Sequence, residues 1–216
     1  MSNIQSKERG AQLLTKVKLS KVNNVLTNNI YADIYFLSEE NFGDITKLYE
    51  EVSNSMDNKN WLKNRDYDSL KKTIDNGGFI IGCYVGLELI ACALCDVPSI
   101  NDLETLDSLG ISIEDFKNTY ISGFVMVHPM YRGNSLQLKL LDLRIDIAKS
   151  QRKKYIVTVA AVDNIHSLNN IVSRGFDFKM QQENNYGILR NIFLKDLFPN
   201  DVNENILNEE NITCVI

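Results

Sequence analysis

The sequence predicts a mixed α/β fold, a single sheet with helices on it, and three stretches predict it. Phe79–Val85 and Leu89–Val97 are apolar runs joined at Gly86, and they read as an antiparallel hairpin. Phe124–His128 reads as a strand, followed by a polar loop, leucines at helical spacing and the nearly all-apolar Tyr155–Ala161. A strand, a helix and a second buried strand make a right-handed crossover to a parallel neighbour. Phe176–Glu183 and Ile188–Leu194 alternate around Asn184-Asn185-Tyr186-Gly187 and close the sheet with another hairpin. Antiparallel and parallel pairs in one chain make the sheet mixed.

The remaining elements follow in order. Residues 1–29 carry Leu13, Leu14, Val17, Val22, Val25 and Leu26 among lysines and asparagines, which reads as a weakly amphipathic helical extension. Asp33–Leu37 is the first clear strand. Ser38 and Asp44 offer helix starts before Ile45, Leu48, Tyr49 and Val52, which recur at helical spacing. Asn54–Asp66 is a polar loop with one aromatic anchor, Trp61, and Asp68–Asp75 a short helix ended by Asn76-Gly77-Gly78. Pro98–Thr119 is a partly helical insertion in which Ser112 caps 113–117. On the helix after the loop, Leu136, Leu140, Leu143 and Ile147 form the apolar stripe, while Lys139, Asp142, Asp146 and Lys149 face water. Asn164–Ser173 is a short helix ended by Arg174-Gly175-Phe176. The organisation is an extension over 1–29, one domain over 30–197 and a polar tail over 198–216.

Composition narrows the function classes. With 216 residues and 44% hydrophobic content the chain can bury a full core. The net charge of −5 comes without a long basic run, which argues against nucleic acid as a partner. Arg152-Lys153-Lys154 reads as a solvated turn. Cys83, Cys92, Cys95 and Cys214 form no disulfide framework, and Cys92 and Cys95 on one strand point to opposite faces. The apolar run from Gly78 to Cys95 is broken by Gly86 and Glu88, so no membrane span is expected, and residues 1–10 do not read as a signal peptide. These features imply a cytoplasmic protein.

The chemistry concentrates in Val127-His128-Pro129-Met130-Tyr131-Arg132-Gly133-Asn134-Ser135-Leu136-Gln137. Pro129 stops the strand, Asn134 and Ser135 are candidate N-caps, and the loop aims backbone N–H groups at one spot before a helix. Such a spot carries partial positive charge and suits a phosphate, with Arg132 adding a fixed cation. From these residues alone, a plain strand-to-helix connection and a dinucleotide loop stay open. The dinucleotide reading is weakened by the lack of a second loop glycine and of a following ribose-binding acid.

This segment resembles the acyl-CoA motif of the GNAT superfamily of acyltransferases, R/Q-x-x-G-x-G/A after a strand ending V-x-P-x-x-R-G. Arg132 matches, and Ser135 and Gln137 stand at the two small-residue positions. Asn164 and Gly175-Phe176 match a later stretch of the same family. The resemblance spans about 30–197 and implies the order β-α-α-β-β-β-α-β-α-β-β with a splayed central strand pair. It further implies acetyl-CoA as cosubstrate, no metal, and a primary amine on a small molecule or peptide as acceptor. The pantetheine arm would lie along Val125, Met126 and Val127, the pyrophosphate on Arg132, Gly133, Asn134, Ser135, Leu136, Gln137 and Leu138, and Asn164 would contact the arm. A homodimer stays open.

The two usual proton carriers are missing. Where many relatives have a glutamate base this chain has Gly123, and where they have a tyrosine acid it has Ile171. Tyr186 is the candidate substitute, with Ser122, Asp96 or a water chain as alternatives. The absences support a rival of another class, a CoA-binding sensor or interaction module that kept the cleft and lost the chemistry. The acceptor end is expected to be walled by 54–67, 98–122 and 184–187, with Trp61, Tyr67, Tyr186, Asp96 and Glu114 on its surface.

Overall fold

The structure is a computed structural model that describes residues 12–184 and 187–199. Its strands are β1 (Leu13–Val22), β2 (Val25–Phe36), β3 (Phe79–Val85), β4 (Glu88–Asp96), β5 (Thr119–Val127), β6 (Tyr155–Ala161), β7 (Asp177–Glu183) and β8 (Leu189–Asp196). The helices are α1 (Phe42–Asn54), α2 (Tyr67–Asp75), α3 (Leu103–Ser108), α4 (Leu136–Ser150) and α5 (Ile165–Val172). All eight strands join one sheet in the order β1-β2-β3-β4-β5-β6-β8-β7. Every pair is antiparallel except β5 with β6, which is the expected crossover through α4.

The largest departure is at the start. The helix expected within 1–29 is, over its described part, the hairpin β1–β2. Asn23 and Asn24 both take positive φ, 49° and 63°, and asparagine tolerates that conformation in a tight hairpin turn. Val17 and Leu19 then alternate with Lys16, Lys18 and Ser20, and Leu19 is fully buried. The period is two, interrupted by a turn. Since β2 runs on to Phe36, the hairpin belongs to the same sheet as the rest.

Helices cover both faces. Leu136, Leu140, Leu141, Ile145 and Ala148 of α4 pack with Ala91, Ala93, Cys95 and Leu19 on one face. Phe42, Ile45, Leu48 and Val52 of α1 and Leu70 of α2 pack with Cys92, Leu94 and Met126 on the other. Cys92 and Cys95 therefore face different cores, as the strand period requires. Burial pushes the Cys83 and Cys95 thiols up to about 12, so both stay neutral and unreactive. The Pro98–Thr119 insertion has its own small core of Leu106, Ile111 and Phe116 against Val157 and Ile192. Arg152-Lys153-Lys154 lies at an exposed turn, as expected, where Lys153 also lies over the Tyr120 ring and Lys154 pairs with Asp115 at 3.2 Å. Asp142 is likewise held, in an ion pair with Arg174. Among the described residues no helix is long and apolar enough to cross a membrane, and no cluster of three metal-ligating side chains occurs.

Candidate functional site

The central parallel pair splays, and a single inserted residue marks the point where it does. β5 and β6 pair only over Thr119–Ser122 and Tyr155–Thr158. Beyond Ser122, β5 stays with β4, while β6 follows β8. Between the pairs Cys95↔Ser122 and Ala93↔Val125, one residue of β4 opposes two of β5. Gly123 and Phe124 thus form a β-bulge against Leu94, and a bulge adds local twist and bends its strand. Among the described residues, the edge of Gly123–Val127 that would meet β6 has no strand partner, in a V-shaped cleft. Val125 and Val127 are half-buried, whereas the Met126 side chain is buried in the α1 face, so Met126 can meet a ligand only through its backbone. A Cβ at Gly123 would lie 2.3 Å from Leu94 Cδ1, so a glutamate in that place would require the Leu94 side chain to shift.

The open end of the V leads into the anion loop. His128 caps the Pro129–Tyr131 turn by accepting from the Met130 N–H at 3.2 Å, and its Nε2 lies 3.1 Å from Glu51 Oε2. It is a strand-end residue locked into the fold. Gly133 and Ser135 then take φ of +79° and +55°, which rotates the chain into α4. Ser135 occupies the N-cap position but makes no side-chain cap bond. The first-turn N–H groups of α4 therefore have neither an intrahelical acceptor nor a serine hydroxyl. Asn134 is no cap either. Its Oδ1 accepts from the Ser20 N–H (2.8 Å), the Lys21 N–H (3.1 Å) and the Ser20 hydroxyl (3.0 Å). Its Nδ2 donates to Lys21 O (2.7 Å) and Tyr131 O (2.9 Å). With the Asn23 N–H donating to Met130 O at 2.6 Å, the hairpin tip is stapled to the loop.

That staple delivers a cation. The Lys21 side chain lies over Gly133, so close that a Cβ there would be 2.4 Å from Nζ. Arg132 is exposed, and its Nη2 donates to Ser55 Oγ at 2.8 Å. The mouth of the loop therefore holds two cations. Gln137 binds α5 through Asn170 (2.9 Å) and Ser167 (3.4 Å), leaving only its backbone toward the loop. Leu136 is buried, and Leu138 is half-buried. Asn164 caps α5 by accepting from the Ser167 N–H at 3.1 Å. Ile171 is buried in the core.

At the opposite end of the V lies a cavity of about 720 Å³. Its walls come from Trp61, Lys63 and Arg65 on one segment, Ser99, Asp102 and Thr105 on a second, and Asn184 beside the closing turn. These are the three irregular segments expected there. Ser122, Gly123 and Phe124 form part of its floor, so cavity and cleft meet at the bulge. Two expected wall residues, Tyr67 and Glu114, do not line it; Tyr67 instead donates to Glu39 at 2.7 Å. Asp96 lines it but is bound to Arg65 (2.6 Å) and Thr73 (2.6 Å), so it is not a free base. The Trp61 indole N–H donates to Asp163 at 2.8 Å, which holds that carboxyl below its ordinary range. Tyr186 lies outside the described residues.

Two residues of the site were missed in the sequence. Lys21 has no local signal, because only the hairpin brings it to the loop. Arg144 does have one: it continues the apolar series Leu136, Leu140 at the same four-residue spacing, and it is buried with 3% exposure.

No family model matches the sequence, and no curated protein matches it either. Solved structures do match in shape. The protein yncA of Salmonella typhimurium, solved with its cofactor acetyl-CoA, aligns with a TM-score of 0.58 at 20% identity, over 77% of this chain and 94% of that one. An acetyltransferase of the GNAT family from Streptococcus pneumoniae gives 0.58 at 11%, over 76% and 98%. The ribosomal-protein-S18-alanine N-acetyltransferase of Escherichia coli gives 0.58 at 10%, over 77% and 94%. At such identities shape is the whole of the likeness: this chain has the fold of the GNAT acetyltransferases.

Proposed function

We propose that this chain is an acetyl-CoA-dependent N-acyltransferase that moves the acetyl group directly to a primary amine in a ternary complex. The observation that carries the reading is the succession of three parts along one cleft: the two-cation anion loop at its open end, the strandless edge of β5, and the 720 Å³ cavity that meets this edge at the Gly123–Phe124 bulge. The pantetheine amides would replace the missing β6 partner along Val125–Val127. The pyrophosphate would lie on the N–H groups of Arg132–Leu138, with Arg132 and Lys21 beside it and Asn164 across the arm. A backbone N–H of the bulge would polarise the thioester carbonyl.

The amine attacks the carbonyl carbon from the cavity; the C–N bond forms, the C–S bond breaks and its electron pair stays on sulfur. The amine gives up one proton and the thiolate takes one. With Gly123 and Ile171 in the usual places, Tyr186 is the proposed proton carrier, two residues along the sequence from Asn184. An α-amino acceptor, with an ordinary pKa of about 7.7–8.0, eases the demand for a base, because part of it is already neutral. The Escherichia coli neighbour is named for an alanine acceptor, which is of that kind. Calorimetry with CoA tests the cleft, and acetylation of a panel of peptides and small amines tests the chemistry.

The second reading is a CoA-binding sensor on the same fold. Gly123, Ile171 and the bound state of Asp96 favour it. CoA binding with no acetylation across the panel would select the sensor.

A further inference from the structure

Arg144 is a guanidinium buried in the α4 face of the sheet, and among the described residues no carboxylate pairs with it. Its Nη1 donates to Ser122 Oγ at 2.5 Å and to Leu94 O at 3.5 Å, and its Nε to Leu140 O at 3.3 Å. The groups around it are neutral. Cys95 is a thiol pushed up by burial, Tyr120 is a phenol bonded to Gly77 O and Gln151, and Thr158 donates to Ser122 O. Asp96 is turned to Arg65 and Thr73. A buried cation without an anion is costly, and an apolar side chain of the same size would serve packing better.

Its position suggests what offsets the cost. Ser122 is the last β5 residue paired with β6, and Leu94 is the residue opposite the bulge. Arg144 thus sits beneath the vertex of the V. On the cofactor reading above, an arm running inward from the anion loop would bring its sulfur to that vertex. Resting on the cofactor reading above, we infer that Arg144 is a positioning residue that braces the bulge and places positive potential under the sulfur of bound CoA, so that the leaving group departs as a stabilised thiolate. In the transfer step the C–S electron pair settles on sulfur facing this cation, and the proton released by the amine joins it afterwards. The role fits a cleft whose usual tyrosine acid is replaced by the buried Ile171.

The test needs no acceptor. In a Cys214→Ser background the remaining thiols are buried and pushed to about 12 or above, so they stay silent. The protein is saturated with CoA and the thiolate absorbance is followed against pH, with free CoA as reference. The bound thiol is expected to titrate about one unit below free CoA, the order expected for a nearby opposite charge. Arg144→Lys should keep most of that shift and Arg144→Met should lose it. A wild-type bound thiol that titrates at or above free CoA overturns the inference, even if Arg144→Met does not fold. So does an Arg144→Met protein that melts lower but titrates like wild type, since that is the signature of a brace alone. Failure of the wild type to bind CoA at all removes the cofactor reading instead.

Discussion

The two ends of the cleft are built in different ways. At the anion loop the working groups are backbone N–H groups, set by two left-handed residues and held by one asparagine with five hydrogen bonds to hairpin and loop. At the cavity they are side chains from three segments far apart in sequence, two of them tied to neighbouring strands, as Arg65 is to Asp96 of β4 and Thr105 to Gln182 of β7. On the proposed reading, a backbone site would recognise what every CoA ester shares. A side-chain site can change with its acceptor while the sheet stays the same. Substitutions should therefore act through conformation and charge at one end, and through local contacts at the other.

The largest effect should come from Ser135. Proline cannot adopt a φ of +55° and has no N–H to donate, so Ser135→Pro should weaken CoA binding by more than about 100-fold, or ~2.7 kcal/mol. Ser135→Gly should keep affinity within a few fold and raise stability by about 1 kcal/mol, the cost of a left-handed non-glycine residue. Calorimetric titration and melting read both. Equal affinity for wild type and the proline variant would dissolve the contrast between the two ends.

Arg132→Ala should lose about 1–3 kcal/mol of CoA affinity, as for a charge-assisted contact. Lys21→Ala, whose cation stands on a half-exposed side chain, should lose about 0.5 kcal/mol. Both losses should shrink at high salt, because exposed charges are screened. A loss independent of salt would mean that the side chains support the loop by packing.

Gly123 joins the two ends. Gly123→Ala places a methyl 2.3 Å from Leu94 Cδ1, and overpacking of this kind costs about 1–3 kcal/mol. Adding Leu94→Ala should recover part of it, a coupling that a double-mutant cycle measures by denaturation. Additive losses would show that Leu94 does not crowd the bulge.

The same contrast decides what could be read from the sequence. The strand–turn–helix geometry of this loop was legible because Pro129, Arg132, the small polar residues and the leucines of α4 are contiguous, and a turn into a helix start is a local structure. The cavity was legible only as a place: the irregular segments mark where walls can stand, but not that Asp96 would be taken by Arg65 or that Tyr67 would turn to Glu39. The N-terminal hairpin was missed because six apolar residues were fitted to a period of 3.6 across Asn23-Asn24, a turn signal that divides them. With it went Lys21. Arg144 was hidden by treating an interrupted apolar stripe as complete, although a charged residue on a buried face is itself a signal.

The smallest effect concerns how the cavity wall is held. Trp61 is the only tryptophan in the chain, and its loop is pinned by Asp163, which accepts from the indole at 2.8 Å and from Asn58 at 3.0 Å. Those bonds favour the ionised carboxyl, so its pKa lies below the ordinary aspartate value of 3.8. A lowered folded-state pKa means that the contribution is fully present above the ordinary value and is lost as pH falls through the lowered one. Trp61 emission should therefore hold steady down to pH 3.8 and shift only below it. Asp163→Asn, whose amide oxygen can still accept from the indole, should remove the pH dependence while leaving the emission in place. Asp163→Ala should give the shifted emission at every pH. A transition centred above 3.8, or one that persists in Asp163→Asn, would mean that another group holds the wall. The acceptor end would then be anchored as redundantly as the cofactor end, and the contrast between them would narrow to the chemistry of their surfaces.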